Sequence, residues 1–292
     1  MGTTVQRYHA IDGLKVLLTL GIVLRHSELL GQLGRSAAFD TFNGGMMALT
    51  ELCVPLFYVL SGFLYFRNAP SRPDARFFGR KLHSRIRSLL LPYLIANAVA
   101  FGVYWAAYRW APQWMSGFFG ADWKNPLFVF WTGPVNLSLW FIRDLFIAVL
   151  MAPVLWFIVR YTRFWGVLAV WIAGRFVPTG PWLNIYFMLG AWLALWKSPW
   201  ITALDGFLAR CRFRPLPASW QAWCFFIYLY HYLCTMVLKK VLPLWLAPDG
   251  FWALLGTYLL VAGLTLTLLT GLYALLKKKS PALLNVLAGG KL

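Results

Sequence analysis

Apolar residues gather into eight runs along the chain, at about Tyr8–Leu30, Met47–Phe66, Leu89–Trp110, Leu137–Val159, Phe164–Val177, Trp182–Trp196, Ala222–Leu242 and Phe251–Leu276. A run near 20 residues with few charges matches the hydrocarbon thickness of a bilayer, so the pattern predicts membrane-spanning helices. The fifth and sixth runs are short. Between the third and fourth, "APQWMSGFFGADWKNPLFVFWTGPVN" is rich in Gly, Pro and aromatic residues. It predicts an irregular loop that lies at the membrane surface or partly re-enters. The expectation is an all-α, polytopic transmembrane bundle of about eight spans, with 1–292 as a single domain.

Composition supports this pattern. Hydrophobic residues make up 60% of the 292 and charged residues only 12%, about half the charged share of a soluble domain. The net charge of +18 would suit nucleic acid, but the basic residues sit at the ends of apolar runs rather than on one patch. That is how topology signals are distributed, and it excludes a nucleic-acid partner. With the N-terminus inside, eighteen Lys and Arg residues fall in cytoplasmic segments and seven in outer ones. The positive-inside rule therefore predicts both termini in the cytoplasm. The opening "MGTTVQRYHAIDG" has no small-residue cleavage site, which predicts no cleaved leader, and lacks the myristoylation pattern. Cys53, Cys211, Cys224 and Cys234 form no CxxC and no His/Cys cluster, so reduced structural thiols and no metal site are expected.

Ionisable residues inside spans are costly in lipid and mark functional positions. The first span contains Asp12, Lys15 and His26. At 100° per residue the three fall within a sector of about 60°, with Lys15 and His26 roughly 16 Å apart along the axis. A snorkelling Asp–Lys pair plus an interfacial histidine is the bland reading, but unrelated interfacial residues need not align. His231 lies near the middle of its span, either as a buried histidine bonded to a neighbour or as part of a site beside His26. Ser61-Gly62 puts two small residues in a bulky span, where a helix or a ligand can approach closely. Arg80, Lys81, Arg85 and Arg87 lead into Pro92, forming an anionic-lipid patch or a clamp for a phosphorylated cofactor. Arg143 and Asp144 form an expected charge pair near Trp140.

In this order, these pieces resemble the acyltransferase-3 family of bacterial membrane acyltransferases. The resemblance rests on the Lys15-to-His26 spacing behind Asp12, "SGFL" at 61–64, the basic stretch ending at Pro92-Tyr93, "LWFIRDL" at 139–145, "YFMLGAWLA" at 186–194 and "FFIYLYH" at 225–231. It runs through nearly the whole chain. Family members usually have about ten spans against the eight read here. The charged segment between Lys197 and Cys224 is too short for two more, which marks a shortened member.

The resemblance implies transfer of an acyl group, usually acetyl, from cytoplasmic acyl-CoA to a hydroxyl of a sugar or cell-envelope glycan, in the bacterial inner membrane and without a metal. The assignments it implies are His26, Asp12 and Lys15 for catalysis. Arg80, Arg85, Arg87 and Ser61 would hold the donor, and Arg143, Trp140 and His231 the acceptor. Direct transfer and an acyl-histidine intermediate both remain open. Implied partners are the lipid membrane, a glycan or lipid-linked sugar, and a separate partner domain or a second copy of the chain. The competing classes are a transporter or flippase and a non-catalytic remnant. Against a transporter, the halves 1–146 and 147–292 share no motifs, so no inverted repeat is evident.

Overall fold

Lipid offers no partners for backbone N–H and C=O groups, so an apolar chain satisfies them internally as helix. The computed structural model describes residues 9–110, 130–131, 133–176, 182–196 and 219–290, with a few isolated positions between. Among these residues the regular structure is entirely helical. The helices are α1 (His9–His26), α2 (Ala37–Glu51), α3 (Cys53–Phe66), α4 (Ala75–Arg85), α5 (Leu91–Trp110), α6 (Trp140–Leu150), α7 (Ala152–Thr162), α8 (Phe164–Ala173), α9 (Ile185–Leu195), α10 (Ser219–Leu246), α11 (Gly250–Lys279) and α12 (Pro281–Leu287). The predicted loop at 111–136 and the charged segment after Lys197 lie largely outside the described residues.

Every predicted run coincides with helix, but the lengths differ from expectation. Among the described residues, Ala37–Phe66, Ala75–Trp110, Ser219–Leu246 and Gly250–Lys279 are long and apolar enough to cross a membrane. A fifth span results if Leu137–Leu150 and Ala152–Thr162, which meet at a 65° bend, count as one. The bend has a covalent cause: Pro153 has no N–H to donate to Val149 one turn back. α8 and α9 are short apolar helices. α1 has the length of a short span, but Asp12, Lys15 and Arg25 make it too charged to stand in lipid alone. Instead it packs against α2, α3, α10 and α11.

The second helical stretch starts ten residues before the predicted Met47. Ser36 caps it, its hydroxyl accepting from the Phe39 N–H, and α1 and α11 cover it. Further along, Pro92 cannot supply the N–H that Ser88 O would accept. The chain widens into a π turn over Ile86–Leu90, where the Leu91 N–H reaches back to Ile86 O. This turn lies between the basic helix α4 and the apolar α5.

Two contacts set the rest of the frame. α3 and α9 cross with their backbones touching. A Cβ on Gly62 would collide with the backbone of Phe187, and one on Gly190 with the backbone of Val59 and Phe63. Only glycine permits that approach. The second contact is a buried amide network before α6. Asn136 Nδ2 donates to Leu229 O at 2.9 Å, its N–H donates to Asn97 Oδ1 at 3.3 Å, and its Oδ1 accepts from Ser138 Oγ at 2.8 Å. Tyr228 Oη donates to Ser138 O at 2.6 Å. Asn136 is fully buried, so Asn136→Ala is expected to strand several polar groups. It should cost about 2–4 kcal/mol, read as a lower thermal midpoint in detergent.

Candidate functional site

Two cavities with no lining residue in common contain the chemistry-bearing side chains. The larger, of about 780 Å³, is lined by Asp12, Lys15, Ser61, Tyr65, Arg67, Lys81, Arg85, Gln221 and Tyr228 among others. Asp12 is 4% exposed. Its Oδ1 accepts from Gln221 Nε2 at 2.9 Å and lies 3.5 Å from Lys15 Nζ. The Asp–Lys pair that the bland reading set snorkelling at the interface is therefore formed inside the protein, tied to α10. Lys81 sits over the rings of Tyr65 and Phe77, 5.5 and 5.6 Å from their centroids. Those faces hold an ammonium group without neutralising it. With Arg67 and Arg85 it gives one wall an excess of positive charge, while the far end is apolar and aromatic: Phe57, Phe141 and Tyr228. Such a space suits an anionic head with an apolar arm.

The second cavity, of about 390 Å³, is lined by His26, Glu28, Gly133, Pro134, Leu137, Trp140, Arg143 and Tyr232. Arg143 Nε donates to Asp144 Oδ1 at 2.7 Å, and its Nη1 donates to Trp131 O at 2.8 Å. The guanidinium is thus fixed where the cavity meets α6. Glu28 is buried. Its Oε1 accepts from Lys239 Nζ at 3.3 Å, while its Oε2 has no hydrogen-bond partner. Trp140 is 42% exposed and presents an aromatic surface at the rim. An imidazole, a cation, an acceptor oxygen and an indole around a small cavity are the groups that a polar hydroxylated ligand would use.

A seam of rings joins the two spaces. Phe141 meets Tyr228 at 5.6 Å between centroids, Tyr228 meets His231 at 5.9 Å, and His231 meets His26 at 5.2 Å. His231 is fully buried and lines neither of these two cavities. Its Nδ1–H donates to Tyr228 O at 2.9 Å.

The structure divides the sequence-derived residues into three groups. Asp12, Lys15, Ser61 and Arg85 come together in the larger cavity; His26, Arg143 and Trp140 come together in the smaller. Arg80 and Arg87 are exposed and line neither, because α4, which holds Arg80, and the π turn, which holds Arg87, each turn only one face toward α6. Asp12, Lys15 and His26 do share one inward face, but it serves two different spaces. Sequence reasoning missed Arg67, Gln221, Glu28 and Tyr232, and it named Lys81 in the basic stretch without giving it a donor contact. Lys81 carried a signal, being one turn before Arg85 on the same helix face. Gln221 and Tyr232 carried none without knowledge of which face of α10 meets α1. Among the described residues no group of three His, Cys, Asp or Glu could hold a metal.

Comparison with known proteins gives two matches. A family model described as an acyltransferase domain, of the type-3 class, matches residues 8–223. The succinoglycan biosynthesis protein ExoH of Rhizobium meliloti (strain 1021) is 31% identical over 167 residues, covering 52% of this chain. The chain spans 44% of that relative's length. No solved structure matches.

Proposed function

The chain belongs to the acyltransferase-3 family, and from that premise we propose that it is a membrane O-acyltransferase moving an acetyl group from cytoplasmic acetyl-CoA to a hydroxyl of a cell-envelope polysaccharide. In this reading the chain crosses the bacterial inner membrane eight times with both termini inside. The charged α1, the bent α6–α7 pair and the short α8 and α9 supply the four spans beyond the four long helices. The observation that carries the proposal is the pairing of a basic cavity with a histidine cavity along one face of α1. Similarity to a protein named for succinoglycan biosynthesis supports a glycan acceptor.

The basic cavity takes the donor. Arg67, Lys81 and Arg85 meet the nucleotide phosphates, and the thioester arm extends toward Phe57 and Tyr228, from where it must pass the ring seam to reach His26. Asp12 and Gln221 hold Lys15 in place beside it. In the histidine cavity, the acceptor sugar stacks on Trp140 and places a hydroxyl near His26. His26 removes that proton as the oxygen attacks the thioester carbonyl. Arg143 stabilises the charge that develops on the carbonyl oxygen. The thiolate of CoA leaves and takes up the proton. An acyl group carried briefly on His26 satisfies the same geometry.

Two measurements test this reading. Purified protein should bind acetyl-CoA and release free thiol in the presence of an acceptor glycan, and deletion of the gene should remove one acetyl mass from an envelope polysaccharide. A transporter would show neither thiol release nor thioester binding. Arg85→Ala should raise KM for the donor about tenfold or more with kcat little changed. A charge-assisted contact contributes about 1.5–3 kcal/mol, and a loss confined to KM is the mark of uniform binding.

A further inference from the structure

We propose that His231 is a positioning residue that fixes the tautomer and orientation of His26. The inference rests on the reading above, in which His26 is the base. Three observations converge. His231 is 0% exposed, and its Nε2 has no hydrogen-bond partner. Its Nδ1 faces the carbonyls of Tyr228 and Ile227 at 2.9 and 3.2 Å. Carbonyls only accept, so Nδ1 carries the proton and Nε2 is left with a lone pair. The ring of His26 lies 5.2 Å away between centroids, tilted by 44°.

A buried acceptor without a donor is costly and is kept where it has a use. The use available here is to receive the N–H of His26, a bond that is absent from this structure and forms when the neighbouring His26 ring turns toward that nitrogen. A neutral imidazole has one N–H and one lone pair, and the hydrogen bond at one nitrogen decides which is which. With its proton turned toward His231 Nε2, His26 presents the lone pair of its other nitrogen to the cavity containing Trp140 and Arg143. The acceptor hydroxyl then gives its proton to that nitrogen, the ring becomes imidazolium, and His231 stabilises it by continuing to accept. The proton passes to the departing thiolate and His26 returns to the same tautomer. Tyr232, edge-on to His26 at 5.2 Å, limits rotation of the ring. Lys239, whose Nζ is 3.5 Å from His26 O and 3.3 Å from Glu28 Oε1, keeps the C-terminal end of α1 against α10. His231 therefore belongs to the support of the base rather than to the acceptor's contacts, since it lines neither cavity.

The experiment compares His231→Leu with His231→Gln in the full-length protein in detergent, together with nitrogen-15 spectra of the histidines in the unmodified protein. His231→Leu should lower kcat by about 10- to 100-fold, a part of what general-base catalysis contributes, with both KM values within about twofold. His231→Gln retains a side-chain acceptor and should recover part of the loss. In the unmodified protein His26 should occupy one tautomer, with its N–H coupled to Nε2 of His231. Unchanged kcat in a folded His231→Leu protein, a Gln variant no better than Leu, or a His26 N–H bonded elsewhere would each overturn the inference. If His231→Leu does not fold, the spectrum of the unmodified protein decides alone. Full activity in His26→Ala would refute the parent reading instead, so the two failures are distinguishable.

Discussion

Replacing His26 with alanine is expected to reduce acyl transfer by about 10²- to 10⁴-fold, the contribution of a positioned general base. The protein should remain folded. The side chain borders an open cavity, and its neighbours His231 and Tyr232 are anchored on α10, which packs on α1 independently. Donor binding should survive, because the basic cavity shares no residue with the histidine cavity. The measurement is acetylated glycan formed per unit of protein, beside a thermal midpoint and an acetyl-CoA titration of the same preparation. Full transfer by a well-folded His26→Ala protein would remove the catalytic role. Loss of donor binding together with transfer would show that the two spaces are not separable.

The largest expected effect on stability is at the crossing of α3 and α9. Gly62→Leu and Gly190→Leu each place a side chain where the partner backbone already stands. Backbone cannot step aside as a rotamer can, so each change should cost about 3 kcal/mol or more, at the upper end of overpacking penalties. Gly256→Ala and Gly263→Ala in α11 are the controls. A Cβ at either meets nothing within 4 Å, and alanine favours helix by about 0.5–1 kcal/mol. A thermal midpoint that falls for the first pair and holds or rises for the second would confirm that close approach, and not glycine itself, sets this crossing.

Much of this architecture could be read from the chain because lipid allows few solutions. Apolar runs become helices wherever they occur, and each of the eight runs coincides with helix. Asp12 and Lys15 were legible as neighbours on one face through their three-residue spacing, and Arg143 with Asp144 as a pair through adjacency. The division of the stripe on α1 between two cavities was not legible, since periodicity gives direction around an axis but not what stands opposite. Arg80 and Arg87 show the same limit. A cluster of like charges advertises a binding surface, yet which members face inward depends on how α4 and the π turn after it pack against α6. The role of Ser61-Gly62 was half visible: small residues predicted an intimate contact, while the complementary glycine, Gly190, lay 128 positions further on with nothing to connect them.

α10 contributes Gln221 and Tyr228 to one cavity and Tyr232 to the other along an unbroken helix. It therefore acts as a ruler, setting a stand-off of roughly 16 Å between Gln221 and Tyr232. Inserting a single residue between Tyr228 and His231 would rotate everything beyond it by about 100° and advance it by about 1.5 Å. Each chamber would keep its own wall chemistry, yet the two would fall out of phase. Natural variation in this stretch should thus favour exchange of residues over change of length.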